Sequence, residues 1–130
     1  NGKNRKLSYD EALELMKRID GESGEKALAK LEKVAPDFAR MVVEFPFGEI
    51  YSREGLDLRT REACSMAALA AMGNARPQLK THIHGALVAG MTKEEIVEVF
   101  MHVTLFAGLP AALNAIVAAV EVFEEYDKQD

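Results

Sequence analysis

The stretch from Val99 to Val120 constrains the fold more than any other part of the chain, because it contains no Asp, Glu, Lys or Arg. A segment of this length could cross the roughly 30 Å hydrocarbon core of a bilayer. However, Gly108, Leu109 and Pro110 interrupt it, and glycine followed by proline typically ends one helix and begins the next. We therefore predict two buried helices joined by a tight corner, in a protein that does not cross a membrane.

The rest of the chain also has helical patterning. Ser8 with Glu11, and Thr92 with Glu95, have the spacing of capping boxes, which mark helix N-termini. Apolar residues recur at helical intervals, and no segment shows sustained two-residue alternation. We expect an all-α protein, a compact bundle of about six or seven helices, in which residues 48–55 form a loop. Since residues 63–72 carry no charge on any face, we expect that part of its helix to be buried on all sides.

Length, charge and cysteine content limit the classes of function. A chain of 130 residues with 48% hydrophobic residues suits one domain, 1–130, with residues 1–7 as a flexible tail. The net charge is −5 and the basic residues are scattered, which argues against a nucleic-acid partner. Cys64 is the single cysteine, so an intrachain disulfide and a thiolate zinc cage are excluded. A cytoplasmic location fits this usage.

The apolar content also predicts self-association. Helices that are apolar on two sides, many of them rich in alanine, offer more apolar surface than one small chain can bury. We therefore expect a homo-oligomer.

Glu62, Cys64 and His82 are the residues most suited to chemistry, but each also has a structural explanation. Glu62 lies one turn into a helix, where a carboxylate is stabilised by the positive end of the helix dipole; alternatively it faces the apolar interior. Cys64 is most simply a small core residue. His82 shares a helix face with Leu79 and Ala86 and is expected to point inward, either as a functional group or as a hydrogen-bonded core histidine.

The other histidines are less informative. His82 and His84 are two positions apart, so on a helix they point about 200° away from each other and cannot chelate one ion. We therefore predict no metal site, and expect His84 to face the exterior or a subunit contact. His102 follows Glu98 by four residues, which is explained by a pairing on the surface or at an interface.

Several short segments, in their order and spacing, resemble the carboxymuconolactone decarboxylase family. The resemblance covers most of the chain, from about Phe38 to Glu124, and rests on residues 55–62, 78–82, 86–90, 92–99, 107–112 and 114–115. This family belongs to the all-helical alkylhydroperoxidase D-like group. The resemblance implies a homo-oligomer, often a hexamer built as a trimer of dimers.

The resemblance also implies site residues. The Glu and the His that work in the peroxidase branch of the group fall on Glu62 and His82. The two cysteines of that branch fall near Ala75 and Gln78, so its dithiol is absent here and a self-contained peroxidase is not expected.

The decarboxylase branch removes CO2 from a carboxylated unsaturated γ-lactone, in the breakdown of the aromatic acid protocatechuate, without a cofactor. By resemblance, His82 would donate to the developing oxyanion or protonate the ring, and Glu62 would orient His82 or shuttle the proton. One or more of Arg53, Arg59 and Arg61 would hold the substrate's side carboxylate, since a guanidinium matches a carboxylate in shape.

Two alternatives to a cofactor-free lyase remain open from the sequence. In the first, Cys64 reacts with peroxide and an external thiol resolves it, which requires an exposed sulfur. In the second, the chain is a binding scaffold without catalytic activity, because a fold does not specify chemistry.

Overall fold

The computed structural model of the chain describes residues 4–129. Over that range the structure has six α-helices, one π-helical turn and no β-strand, which confirms the all-α prediction. The helices are α1 (Tyr9–Val34), α2 (Pro36–Glu44), α3 (Leu58–Met72), α4 (Arg76–Val88), α5 (Lys93–Ala107) and α6 (Leu109–Lys128), and the π-helical turn is Pro46–Tyr51. The chain divides into two compact units after Leu58, and each is described by itself.

The first unit is built on α1, which begins at the predicted capping box. The Ser8 hydroxyl accepts from the Glu11 N–H at 3.2 Å, and the Glu11 carboxylate accepts from the Ser8 N–H at 3.0 Å. Gly21 breaks the regular helix with φ 63°, a left-handed conformation that glycine adopts without strain. The unit's core consists of Ala12, Met16, Ile19, Leu28, Ala39, Val43 and Phe47.

The prediction of a loop over residues 48–55 is wrong for residues 48–51. Pro46–Tyr51 forms a π-helical turn directly after α2. This wide turn places the Phe47 and Tyr51 rings in a stack, with centroids 5.5 Å apart, and buries Phe47. The Gly48 carbonyl accepts from the Leu7 N–H at 3.0 Å. These tertiary contacts stabilise a conformation that local propensity disfavours.

The predicted tail, 1–7, lies partly outside the described residues, which begin at Asn4. Besides the contact made by Leu7, the Asn4 side-chain oxygen accepts from the Glu54 N–H at 3.0 Å. Whether the chain behaves as one domain, as expected, stays a prediction.

Acid should weaken the start of α1, since hydrogen bonds from Arg5 and then from Ser8 lower the pKa of Glu11 from 4.5 to about 2. A carboxyl whose pKa is lower in the folded chain stabilises the fold above its unfolded pKa and loses that contribution as the pH falls toward the folded pKa. We expect Glu11→Gln to be less stable than the wild type at pH 6, with the gap closing between pH 4.5 and pH 2. Urea unfolding of both proteins between pH 6 and pH 2 measures this difference in the free energy of unfolding.

Glu14→Gln is the control for this experiment, because Glu14 is an exposed carboxylate on the same helix. Its stability relative to the wild type should change little with pH. A gap for Glu11→Gln that stays constant down to pH 2 would contradict the role given to Glu11.

The second unit contains α3 to α6, packed around one apolar core. Gly108, at φ 92°, forms the corner between α5 and α6, and Pro110 lies in the first turn of α6. The Thr92–Glu95 capping box at the start of α5 is present. This confirms the prediction of two helices joined at a corner. Within residues 4–129, no helix has the length and apolar character needed to span a bilayer.

The expectation that α3 is buried on all sides is wrong for the chain as described. Its fully buried residues, Glu62, Met66 and Ala70, follow each other at intervals of four and form one face, whereas Met72 is exposed. Uncharged residues can cover an outer helix face as well as an inner one, so composition alone did not decide which face packs.

The corner between α5 and α6 leaves large apolar side chains exposed. They are Met101, Leu105, Phe106, Leu109, Leu113 and Val117, and Phe106 alone is 88% exposed. Continuous apolar surface of this kind typically marks a contact surface. The predicted homo-oligomer stays a prediction, and this corner is a face that such an assembly would cover.

Candidate active site

Glu62 lies in the second unit with its side chain completely buried. It stands four residues before Met66 and eight before Ala70 on α3, so helical periodicity directs all three into the core. An ionised carboxylate in such a place is costly unless a charged or hydrogen-bonding partner compensates it. Because it is buried, Glu62 needs a partner that compensates the cost of removing its carboxylate from water.

That partner is His82 on α4. Its Nδ1 atom lies 3.0 Å from Oε2 and 3.3 Å from Oε1 of Glu62. Leu79, Ile83 and Ala86 are buried around it on α4, and the imidazole itself is 17% exposed. The carboxylate and the imidazole, twenty residues apart in sequence, thus form one hydrogen-bonded pair on successive helices.

The hydrogen bond determines which nitrogen of His82 can act on a substrate. An ionised carboxylate only accepts hydrogen bonds, so when Glu62 is ionised Nδ1 carries the proton that it donates to Glu62. Proton exchange with a bound molecule would then take place at Nε2. The carboxylate holds the ring in this tautomer and orientation.

The other two histidines lie elsewhere in the second unit. His84 is half-buried, with its ring edge-on to that of Tyr126 on α6 at 5.9 Å, so it is not fully exterior, and its expected place at a subunit contact stays a prediction. The reason is that α4 packs against α6 as well as contacting Glu62. His102 is exposed beside Phe106, with ring centroids 6.1 Å apart. Across residues 4–129, no three or more His, Cys, Asp or Glu side chains are grouped to hold a metal ion.

The three arginines predicted to bind substrate do not share one environment. Arg59 forms an ion pair with Glu95 of α5. Arg61 is half-buried on α3, directly before Glu62. Arg53 belongs to the first unit and is exposed; its N–H donates to the Ile50 carbonyl at 3.1 Å. Their roles in binding stay predictions.

Cys64 is exposed, so its interpretation as a small core residue is wrong. It follows Glu62 by two residues on α3, which places it about 200° around the helix from the buried face. The thiol therefore lies on the side of α3 opposite the carboxylate that contacts His82.

Sequence analysis missed Arg76 and Asn114, which line a cavity of about 100 Å³ in the second unit. The cavity lies where the end of α3 meets the beginning of α4 and the first turns of α6. Arg76 precedes Pro77 at the start of α4, and this placement in a first turn is the only local signal that the sequence offers.

Comparison with known proteins identifies the family of the chain. The model of the carboxymuconolactone decarboxylase family matches residues 36–121. The chain belongs to this family. It is 34% identical over 123 residues to 4-carboxymuconolactone decarboxylase of Acinetobacter baylyi, covering 94% of this chain and 91% of that protein.

Two further relatives show how broad the family is. Nitrosuccinic acid decarboxylase of Metarhizium robertsii is 25% identical over 118 residues, covering 90% of this chain and 82% of that protein. An uncharacterised 15.0 kDa protein of Paracoccus denitrificans is 38% identical over 100 residues, or 76% of this chain and 75% of its own. Family membership confirms the resemblance found in the sequence.

Proposed function

We propose that this chain is a cofactor-free carboxy-lyase that decarboxylates an unsaturated γ-lactone of the 4-carboxymuconolactone type. The buried Glu62 carboxylate, 3.0 Å from the half-buried His82 imidazole, carries this proposal. Support comes from two relatives named as decarboxylases, which the chain matches over most of its length.

The substrate itself can accept the electrons that decarboxylation releases. The bond between the ring γ-carbon and its carboxylate breaks, CO2 leaves, and the electron pair passes through the ring double bond to the lactone carbonyl oxygen. A proton then adds to the carbon next to that carbonyl and gives an enol-lactone. Nitrosuccinate has a similar electron sink, because its nitro group lies on a carbon that bears a carboxylate.

The protein must supply a proton and a site with little water. In our proposal protonated His82 delivers the proton from Nε2, and Glu62 holds the ring through Nδ1 and compensates its charge. Because Glu62 is fully buried, this compensation acts where water screens little.

Turnover of 4-carboxymuconolactone by the purified chain tests the proposal directly. We expect CO2 release together with an ultraviolet change as the conjugated lactone becomes an enol-lactone. An absence of turnover with folded protein would contradict the proposed reaction and favour a scaffold or another substrate.

The exposure of Cys64 supports a second candidate, in which the thiol reduces a peroxide and an external thiol regenerates it. Its position on the far side of α3 from Glu62 argues for the lyase, because no contact links the thiol to the Glu62–His82 pair. We expect Cys64→Ser to retain full decarboxylase activity. Peroxide consumption by the wild type that disappears in Cys64→Ser, without any lactone turnover, would reverse this ranking.

The assembly and location are part of the same proposal. A homo-oligomer, with the hexamer of the family as the expected form, would cover the apolar corner of α5 and α6. We propose that the substrate is a small lactone acid formed in the degradation of aromatic compounds. We also propose that the protein is cytoplasmic.

A further inference from the structure

The cavity beside Arg76 has the character of a site for a small acid. Its walls are apolar and include Leu69, Ala70, Leu79 and Ala111, while Arg76 and Asn114 are the polar residues that line it. Its volume of about 100 Å³ lies below the usual size of a site for a whole ligand, so it suits a short acid arm of a larger molecule. Apolar walls with a few directed polar groups are typical of small-molecule sites.

The charged groups around Arg76 favour an anion. Glu121 of α6 forms an ion pair with Arg76, and its other carboxylate oxygen lies 3.9 Å from the Lys80 ammonium. Two cations and one carboxylate leave one positive charge in excess. Glu121 contacts Nη2 of Arg76 and holds the guanidinium in place, and a guanidinium has five N–H donors in all.

The cavity is close to the Glu62–His82 pair along α4. Leu79, in its wall, precedes His82 by three residues, which is slightly less than one helical turn and about 4.5 Å along the axis. Side chains on a helix lean toward its N-terminus, which for His82 is the direction of Leu79 and Arg76.

The substrates named for two relatives share one further feature. Both 4-carboxymuconolactone and nitrosuccinic acid carry two carboxylates, so one of them remains after CO2 leaves. An enzyme for such acids needs a cation that binds the retained carboxylate without assisting its loss. Arg59, one of the three arginines predicted for this role from the sequence, does not line this cavity, whereas Arg76 does.

We propose that Arg76, assisted by Asn114, binds the carboxylate that the substrate retains, with the adjacent carbon chain in the apolar cavity. This inference rests on the proposed function, whose substrate class it narrows to acids with a second carboxylate a short distance from the reacting carbon. Arg76 and Asn114 are substrate-binding residues here, and the proton transfer remains with His82.

The test combines kinetics with binding of muconolactone, which keeps the carboxymethyl arm and lacks the carboxylate that leaves. Arg76→Gln should raise KM for 4-carboxymuconolactone and the Kd for muconolactone by about 10- to 100-fold, with kcat changed less than about threefold. Asn114→Ala should also raise KM and Kd, but by a smaller factor. Arg76→Lys should retain part of the affinity for muconolactone. Isothermal titration calorimetry gives the Kd.

Arg40→Gln is the matched control. Arg40 is 51% exposed, against 48% for Arg76, and it is also ion-paired, with Glu44 at 3.3 Å. The same loss of one positive charge should leave KM and Kd within about twofold, because Arg40 lies in the first unit and not in this cavity.

The outcomes separate this inference from the proposed reaction. Binding of muconolactone that depends on Arg76, without turnover of the full substrate, would support the site and contradict the reaction. Turnover with unchanged KM and Kd in Arg76→Gln would overturn the site and leave the reaction intact. The same holds if KM and Kd rise only in Arg59→Gln. If Arg76→Gln does not fold, the affinities of Asn114→Ala and Arg76→Lys decide in the same way.

Discussion

Replacing His82 by alanine is expected to lower kcat for 4-carboxymuconolactone by about 10²- to 10⁴-fold, the usual contribution of a general acid. The imidazole is the group that contacts the buried Glu62 carboxylate, and nothing in an alanine side chain can replace its proton. The variant also leaves the buried Glu62 carboxylate without the imidazole that contacts it, so we expect a lower free energy of unfolding and compare kcat only on protein shown to be folded. Steady-state kinetics and far-ultraviolet circular dichroism measure the two effects.

His84→Ala is the matched control for this variant. His84 lies on the same helix, is also half-buried and contacts Tyr126 instead of Glu62. Its kcat should stay within about threefold of the wild type, since it takes no part in the proposed proton transfer. A His82→Ala variant with unchanged turnover would remove the imidazole from the mechanism.

Replacing Glu62 by leucine should separate activity from stability. We expect kcat to fall by about 10²-fold or more, because His82 loses both the orientation of its ring and the compensation of its charge. We expect the free energy of unfolding to fall less than in His82→Ala, since Glu62→Leu leaves a partly exposed imidazole without its partner and not a buried carboxylate. Urea unfolding and kinetics on the same preparation measure both.

Two more variants refine this prediction. Glu62→Gln keeps an oxygen that can accept from Nδ1 but has no charge, so its activity should lie between those of the wild type and Glu62→Leu. In the double variant Glu62→Leu/His82→Ala, the loss should be close to that of His82→Ala alone, because residues that act as a unit are not additive. Additive losses would show that the two residues act separately, and full activity in Glu62→Leu would exclude the pair from catalysis.

The features predicted correctly from the sequence depend on near neighbours in the chain. The capping boxes at Ser8 and Thr92 are formed by residues three positions apart, and the corner at Gly108 depends on its own backbone conformation. Such signals need no knowledge of distant residues. The π-helical turn after α2 was missed because the packing of Phe47, and not local propensity, stabilises it.

Candidate residues were only partly predictable. Glu62 and His82 could be predicted because they are a carboxylate and an imidazole in otherwise apolar helical segments. The resemblance to the family implied that they work together. Cys64 was misplaced, because a neutral residue on an uncharged helix can lie on either face. Arg76 could not be predicted as a site residue, because the cavity that it lines is formed by parts of three helices.

The amino-acid order alone determined that the chain is helical, where α1 and α5 begin, where α5 gives way to α6, and which residue types were suited to proton transfer. Only the tertiary structure decided that Nδ1 of His82 lies 3.0 Å from Glu62, that Cys64 faces outward, and that Arg76 borders a cavity. The physical reason is range: helix caps and periodicity act over a few residues. Burial and contacts between helices depend on how α3, α4 and α6 pack in three dimensions.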